Sequence, residues 1–493
     1  MLNHEYCRNT IFNRNFFMDF RGTMTYNERK IIKDFHKCNF YEIFEYFQAE
    51  SNKLRAATKE EKLSEKEENE SLISKYGFCL LDGHCERINN FRLEAPGLFL
   101  GRGDHPKMGM IRHRVWACDI TINCGRDSKI PMPPRGEMWK EVRHDNTVTW
   151  LASWTDNVHG QNKYIILNPR SKIRCESDHN KYEAARRLHK LIDKIRATYS
   201  EEWKSKRIYV RQRAIALYFI DKLAGTVRCS SLRVEDIQLH RYLMDKEYVV
   251  VFDFLRKDSI RYYNMIEVEP RVFNNLKVFV KDKEKGDSLF ECLNAHELND
   301  HLKELMVGLT TKIFRTYYAS LTLQNQLDEL TDENATVPEK LLVYNRANRA
   351  VAILCNHQRS VPKRHQQIME NLRKKIHNKN NAINDLEAEF IELEKSANLS
   401  KTVKDKMIAA RKGKQLECLK DQLKTLKLEE TNREENKNVA LTTLKLSYTD
   451  PRIAVAWCKK NNVPIEKIFN KTQRTKFLWA IHTADENYNF LGE

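Results

Sequence analysis

The stretch from residue 361 to 437 limits the fold more than any other part of the chain. It has a single glycine, Gly413, no tryptophan and dense lysine and glutamate, so it cannot close a globular core by itself. Its apolar residues recur in steps of three and four: Ile368, Leu372, Ile376, then Ile383, Leu386, Phe390 and Leu393, with a second series at Leu416, Leu419, Leu423 and Leu426. That spacing is the seam of paired helices. A break near Asn398, Leu399 and Ser400 predicts a turn, and therefore an antiparallel coiled-coil hairpin that separates a larger body before it from a small domain after it. Its charges read first as a face turned to water, and second as a basic surface able to lie along a polyanion.

The body divides by pattern. Residues 1–75 read as charged helices, stopped at Gly77. From Phe78 to about 171 come short runs rich in Ile, Val, Thr and Trp, bounded by turn residues: FCLLDG, ITINCG, TVTWLASW and KYIIL. Residues 172–360 are mixed. KYEAARRLHKLIDKIRATY and VRQRAIALYFIDKLA have helical periodicity. YVVVFDFL and SIRYYNMIEVE read as a hairpin, and 298–323 and 340–359 as two further helices. Residues 438–493 carry the compact apolar runs of a small domain.

A net charge of +17 points to an acidic partner, with nucleic acid favoured over acidic proteins or membrane surfaces. No apolar run approaches the roughly 20 residues of a membrane helix. The scattered apolar residues of MLNHEYCRNTIFNRNFF do not make a secretory signal, although so acid-poor a start fits a transit peptide. The 12 cysteines contain no CxxC pair, which reads as free thiols in a reducing compartment and no zinc site.

Seven colinear stretches carry a resemblance: PGLFLGRGDHPKMGM, WKEVRHDNTVTWLASW, VRQRAIALYFIDKLA, FDFLRKDSIRYYN, IFRTYYAS, YNRANRAVAILCNHQR and SYTDPRIAVAWCKK. In this order they resemble the eukaryotic type IB DNA topoisomerases over the whole chain. The resemblance implies an α+β multidomain fold: a partial β-rich cap over 1–171, a mostly helical, tyrosine-recombinase-like catalytic core over 172–360, an antiparallel coiled-coil linker over 361–437 and a small helical C-terminal domain over 438–493. It implies supercoil relaxation through a transient 3′-phosphotyrosine break in one strand. Tyr448 matches the nucleophile, Arg315 a transition-state arginine, His357 a histidine on a non-bridging phosphate oxygen, and Lys257 the acid for the leaving 5′ oxygen. The chemistry suits these residue types. A phenol near pKa 10 needs activation by its surroundings, and guanidinium forks match phosphate oxygens. Arg143, His144, Lys107, Asp258 and Ser447 match positions near DNA. The implied partner is double-stranded DNA bound by a monomer, with no ATP, no metal and no membrane. The implied location is the nucleus and chromosome, with a mitochondrial copy as the alternative.

The chain departs from the family pattern in two places. MLNHEY matches an internal family stretch, so the leading basic tail and the opening of the cap are expected to be missing, and the transit-peptide reading is set aside. Ala224 runs directly through Gly225 into Thr226, where the family has a further segment with another catalytic arginine and one lip of the DNA clamp. Arg228 is the candidate substitute. The alternative expectation is therefore a DNA-binding relative with impaired catalysis.

Overall fold

The computed structural model describes residues 5–101, 105–225, 229–255, 261–359, 361–362, 364–400 and 403–492. The architecture is α+β, mostly helical, with small sheets. Residue contacts divide it into two compact units, one of residues 1–178 with 255–261, the other of 179–254 with 262–493.

In the first unit, four helices precede the sheets: Thr10–Thr23, Tyr26–Ile31, Tyr41–Ala56 and Lys59–Tyr76. The last begins with a capping box between Thr58 and Glu61, which satisfies two backbone N–H groups that the first turn leaves open. It stops at Gly77, where a Cβ would lie 2.5 Å from the Ile73 carbonyl oxygen. The chain then forms the hairpin Phe78–Leu81 with His84–Arg87. A four-stranded sheet follows, in the order Glu141–Arg143, Thr121–Asn123, Trp150–Thr155, Asn162–Ile166. Its first pair is parallel and the others antiparallel. Ile120, Ile122 and Ala152 form its small core.

The second unit holds the main core, in which Tyr182, Phe219, Phe252, Phe273, Phe290 and Phe314 are almost wholly buried. Each such side chain contributes about 1.5–3 kcal/mol of burial. The expected hairpin is part of a three-stranded sheet in which Lys246–Leu255 lies between Ile237–Leu243 and Arg261–Glu267. The helix expected over 298–323 is two helices, Ala295–Leu305 and Thr311–Leu330. Between them Gly308 takes φ +81, a left-handed conformation that glycine adopts without strain. The helix expected over 340–359 begins at Val337 and ends at Leu354, and Asn356 is left-handed at φ +48. His357 therefore lies on the segment leaving the helix.

Two long helices, His365–Ser400 and Val403–Glu435, pack along one another. Ile383, Leu386 and Leu416 are buried between them, with Phe390, Leu419 and Leu423 alongside. The seam is shifted from the expected one at its start, where Met369 is buried and Ile368 is exposed. Asn398, Leu399 and Ser400, where the break is expected, are still helical.

Candidate active site

The site lies in the second unit, where three distant segments meet. After the Val337–Leu354 helix, the chain makes an antiparallel bridge between Gln358 and Val439. The Arg359 amide donates to the Asn438 carbonyl at 2.9 Å, and the Ala440 amide to the His357 carbonyl at 3.0 Å. This bridge starts the short Leu441–Ser447 helix beside His357, and Leu444 is fully buried beneath it.

Tyr448 follows as the C-cap of that helix. Carbonyls in a last helical turn have no intrahelical partner, and two lysines meet them here. Lys181 donates to the Ser447 carbonyl at 3.3 Å and Lys476 to the Leu446 carbonyl at 2.7 Å. From the Thr311–Leu330 helix, the buried Ser320 hydroxyl donates to the Tyr448 carbonyl at 3.4 Å and accepts from the Asp450 amide at 3.0 Å.

Arg315, on that same helix, donates through Nη1 to the Tyr448 phenol oxygen at 3.3 Å. Its guanidinium carbon is 5.2 Å from the centre of the Tyr448 ring. Nη2 donates to the Gly225 carbonyl, and Nε is buried without a hydrogen-bond partner among the described residues. The His357 ring packs on Tyr448 with centroids 5.3 Å apart.

Behind the tyrosine, Asp450 caps the Pro451–Lys460 helix by accepting from the Arg452 amide. Its fully buried carboxylate also takes the Arg452 Nη2 at 2.7 Å and the Tyr488 hydroxyl at 3.0 Å. Arg452 reaches Glu183 through Nη1 at 2.7 Å. Burial alone would raise the Glu183 carboxyl, but the hydrogen bond and charge of Arg452 hold it below its ordinary value. A charge buried this far is tolerable because it is paired and hydrogen-bonded.

Beside Arg315, the Ile208–Lys222 helix ends in a Schellman turn. The Gly225 amide donates to the Ile220 carbonyl at 2.7 Å and the Ala224 amide to the Asp221 carbonyl at 3.2 Å. Ala224 and Gly225 both have positive φ, +48 and +60. A Cβ on Gly225 would lie 2.8 Å from the Thr311 carbonyl oxygen.

The sequence-predicted residues fall into three groups. Arg315, His357, Tyr448 and Ser447 come together. Lys107, Arg143 and His144 belong to the first unit, where each has a local partner. Lys107 donates to the Val158 carbonyl at 2.7 Å, and Arg143 pairs with Glu141 at 2.8 Å. The His144 Nδ1 lies 3.0 Å from the Cys124 carbonyl oxygen. Lys257, Asp258 and Arg228 lie outside the described residues. Sequence reasoning missed the support formed by Lys181, Ser320, Asp450, Arg452 and Lys476. One signal was available: Asp-Pro at 450–451 reads as an N-cap followed by proline at the first helical position.

A tyrosine held by an arginine and faced by a histidine, on a mostly helical α+β scaffold, sets the class of the site. Three family descriptions match the chain in succession. They are the DNA binding fragment of eukaryotic DNA topoisomerase I over residues 1–167, its catalytic core over 170–390, and a C-terminal topoisomerase domain over 420–490. Among relatives, DNA topoisomerase 1 of Drosophila melanogaster is 65% identical over 502 residues, covering 99% of this chain and 50% of the fly protein. DNA topoisomerase 1 of Homo sapiens is 55% identical, covering 99% of this chain and 66% of that protein. The human protein named DNA topoisomerase I, mitochondrial, is 50% identical, covering 99% of this chain and 84% of that protein.

The chain belongs to the eukaryotic DNA topoisomerase I family. It spans half of the fly relative and about two thirds of the first human one. The 502-residue match is longer than the 493-residue chain, so the fly protein has residues that this chain lacks within the matched region.

Proposed function

We propose that this protein relaxes supercoiled double-stranded DNA as a type IB topoisomerase, without ATP or metal. The observation that carries the reading is the hydrogen bond from Arg315 to the Tyr448 phenol oxygen, with the His357 ring against the same tyrosine. Tyr448 attacks the scissile phosphate and becomes joined to the 3′ end as a phosphotyrosine. The 5′ hydroxyl leaves, the duplex rotates, and the hydroxyl attacks the phosphotyrosine to reseal the strand. The ester conserves the energy of the broken bond, so no nucleotide is consumed.

Within this reading, Arg315 orients the Tyr448 phenol and donates to the phosphate. Its Nε is buried and without a hydrogen-bond partner among the described residues. Fixed donors aimed at developing charge are the largest contribution in reactions of this kind. His357 binds a non-bridging oxygen and Lys257 protonates the leaving group. Lys107, Arg143, His144, Asp258 and Ser447 lie along the DNA, with the cations holding the backbone without reading sequence. The Arg143–Glu141 pair is exposed and of little stability value, so the guanidinium exchanges partners readily.

The proposed organisation is a partial cap over 1–171, a catalytic core over 172–360, a coiled-coil linker over 361–437 and a tyrosine-bearing domain over 438–493. The proposed working form is a monomer on nuclear DNA. A mitochondrial location is the alternative, supported by the name of one human relative, DNA topoisomerase I, mitochondrial.

The test is covalent capture on a nicked suicide duplex. The chain should shift on a denaturing gel as an adduct on the 3′ end, and Tyr448→Phe should not. A second reading, duplex binding without turnover, is favoured by one observation: the Ile208–Lys222 helix turns directly at Ala224–Gly225, where the family pattern has a further segment. Binding without any adduct would establish it.

A further inference from the structure

We infer that Tyr318 is a positioning residue for Arg315, acting through Asp221 and the turn at Gly225; this rests on the reading of Tyr448 as a nucleophile.

Tyr318 lies one turn beyond Arg315 on the Thr311–Leu330 helix, on the same face. Its hydroxyl donates to Asp221 Oδ1 and accepts from Arg196 Nη2 at 2.9 Å. The other oxygen of Asp221 accepts from Arg196 Nε at 3.0 Å and from the Tyr199 hydroxyl at 2.9 Å. Asp221 is 3% exposed, so this carboxylate is fixed by protein donors. Burial, and then the adjacent carboxylate, push the Tyr199 and Tyr318 phenols well above the ordinary tyrosine range. Both hydroxyls therefore remain donors at neutral pH.

Asp221 is also part of the turn it anchors, since its backbone carbonyl accepts from the Ala224 amide. The next residue, Gly225, presents its carbonyl to Arg315 Nη2, and the same guanidinium reaches the Tyr448 phenol through Nη1. One connected path thus runs from the Tyr318 hydroxyl through Asp221, the turn and Gly225 to Arg315 and Tyr448. The turn needs such an anchor because Ala224 holds a left-handed conformation that an L-residue adopts at a cost. Without the Tyr318 hydroxyl, Asp221 keeps Arg196 and Tyr199 but loses the donor on its other oxygen, and the Gly225 carbonyl that aims Arg315 is held less tightly. Catalytic groups lose effect once displaced by about 0.5 Å.

The experiment uses Tyr318→Phe in the full chain, which keeps the ring and removes the hydroxyl. Cleavage of a suicide duplex is followed in single turnover at saturating protein, with duplex affinity measured separately. Cleavage should slow about tenfold with affinity changed less than about twofold. In the Arg315→Lys background the same change should slow cleavage no further, because both act through one group. Independently of catalysis, hydrogen exchange at the Ala224 and Gly225 amides should quicken in Tyr318→Phe. Wild-type cleavage in the variant, lost affinity at unchanged rate, or effects that multiply with Arg315→Lys would overturn the inference. If the wild type forms no adduct, the nucleophile reading falls by itself. Exchange then decides whether Tyr318 anchors the turn, and unchanged exchange overturns that as well.

Discussion

Arg315 and Tyr448 lie 133 positions apart in sequence and meet at 3.3 Å, guanidinium to phenol oxygen. The pair exists because one helix grips the tyrosine at both ends, with Arg315 at the phenol and Ser320 at the backbone. The contact places a fixed cation where negative charge would develop on phenol and phosphate.

Arg315→Lys should therefore affect rate far more than affinity. Lysine keeps a charge but not the planar fork that bonds Gly225 and Tyr448 together. Single-turnover cleavage should fall about a hundred- to a thousandfold, with duplex affinity within about threefold of wild type. A parallel loss of affinity would make Arg315 an anchor for DNA rather than a catalytic group.

The turn at Ala224 and Gly225 gives a pair of opposite expectations. Gly225→Ala places a Cβ 2.8 Å from the Thr311 carbonyl oxygen and forces φ +60 on alanine, so it should cost about 1–2 kcal/mol. Ala224→Gly relieves a left-handed alanine at φ +48 and should stabilise by up to about 1 kcal/mol. Urea denaturation of both variants checks the signs.

Arg452→Met should be severe. It leaves the fully buried Asp450 carboxylate without its cation and removes the link to Glu183. Stripping one partner from such a pair costs about 3–5 kcal/mol, read as a shift of the urea midpoint.

Lys445 gives a pH signature in an unusual direction. Its ammonium lies 4.7 Å from the centre of the buried Tyr344 ring, and burial brings its pKa down to about 8. An unfolded lysine titrates near 10.4. Between these values the unfolded state binds more protons, so this group makes stability rise with pH. Below about 8 the cost of burying the charge is fully present. Lys445→Met should therefore be more stable than wild type at pH 7, by a margin that shrinks at pH 9. Thermal unfolding at the two values checks it, and a margin that grows with pH would contradict the assignment.

Much of this was legible in the sequence because the signals were local. Periodicity gave the long helices, and short β-rich runs gave most of the strands. The motifs around Arg315, His357 and Tyr448 carried the family. The break at Gly308 is readable from the glycine, but the strong periodicity on both sides hides it. The end of the helix before His357 depends on a left-handed Asn356, which apolar spacing does not report. The support behind the tyrosine was illegible for a different reason. Glu183 with Arg452, Ser320 with Tyr448 and Tyr318 with Asp221 are pairs of ordinary residues separated by 269, 128 and 97 positions, and only tertiary packing brings them together.

Relaxation of a supercoiled plasmid asks whether Tyr448 is the nucleophile of a nicking and resealing reaction that needs neither ATP nor metal. Wild type and Tyr448→Phe are compared at equal concentration, without ATP and with EDTA. The wild type should relax the plasmid and the variant should not, with equal duplex binding. Relaxation surviving in Tyr448→Phe, or absent from a wild type that binds duplex normally, would contradict that role.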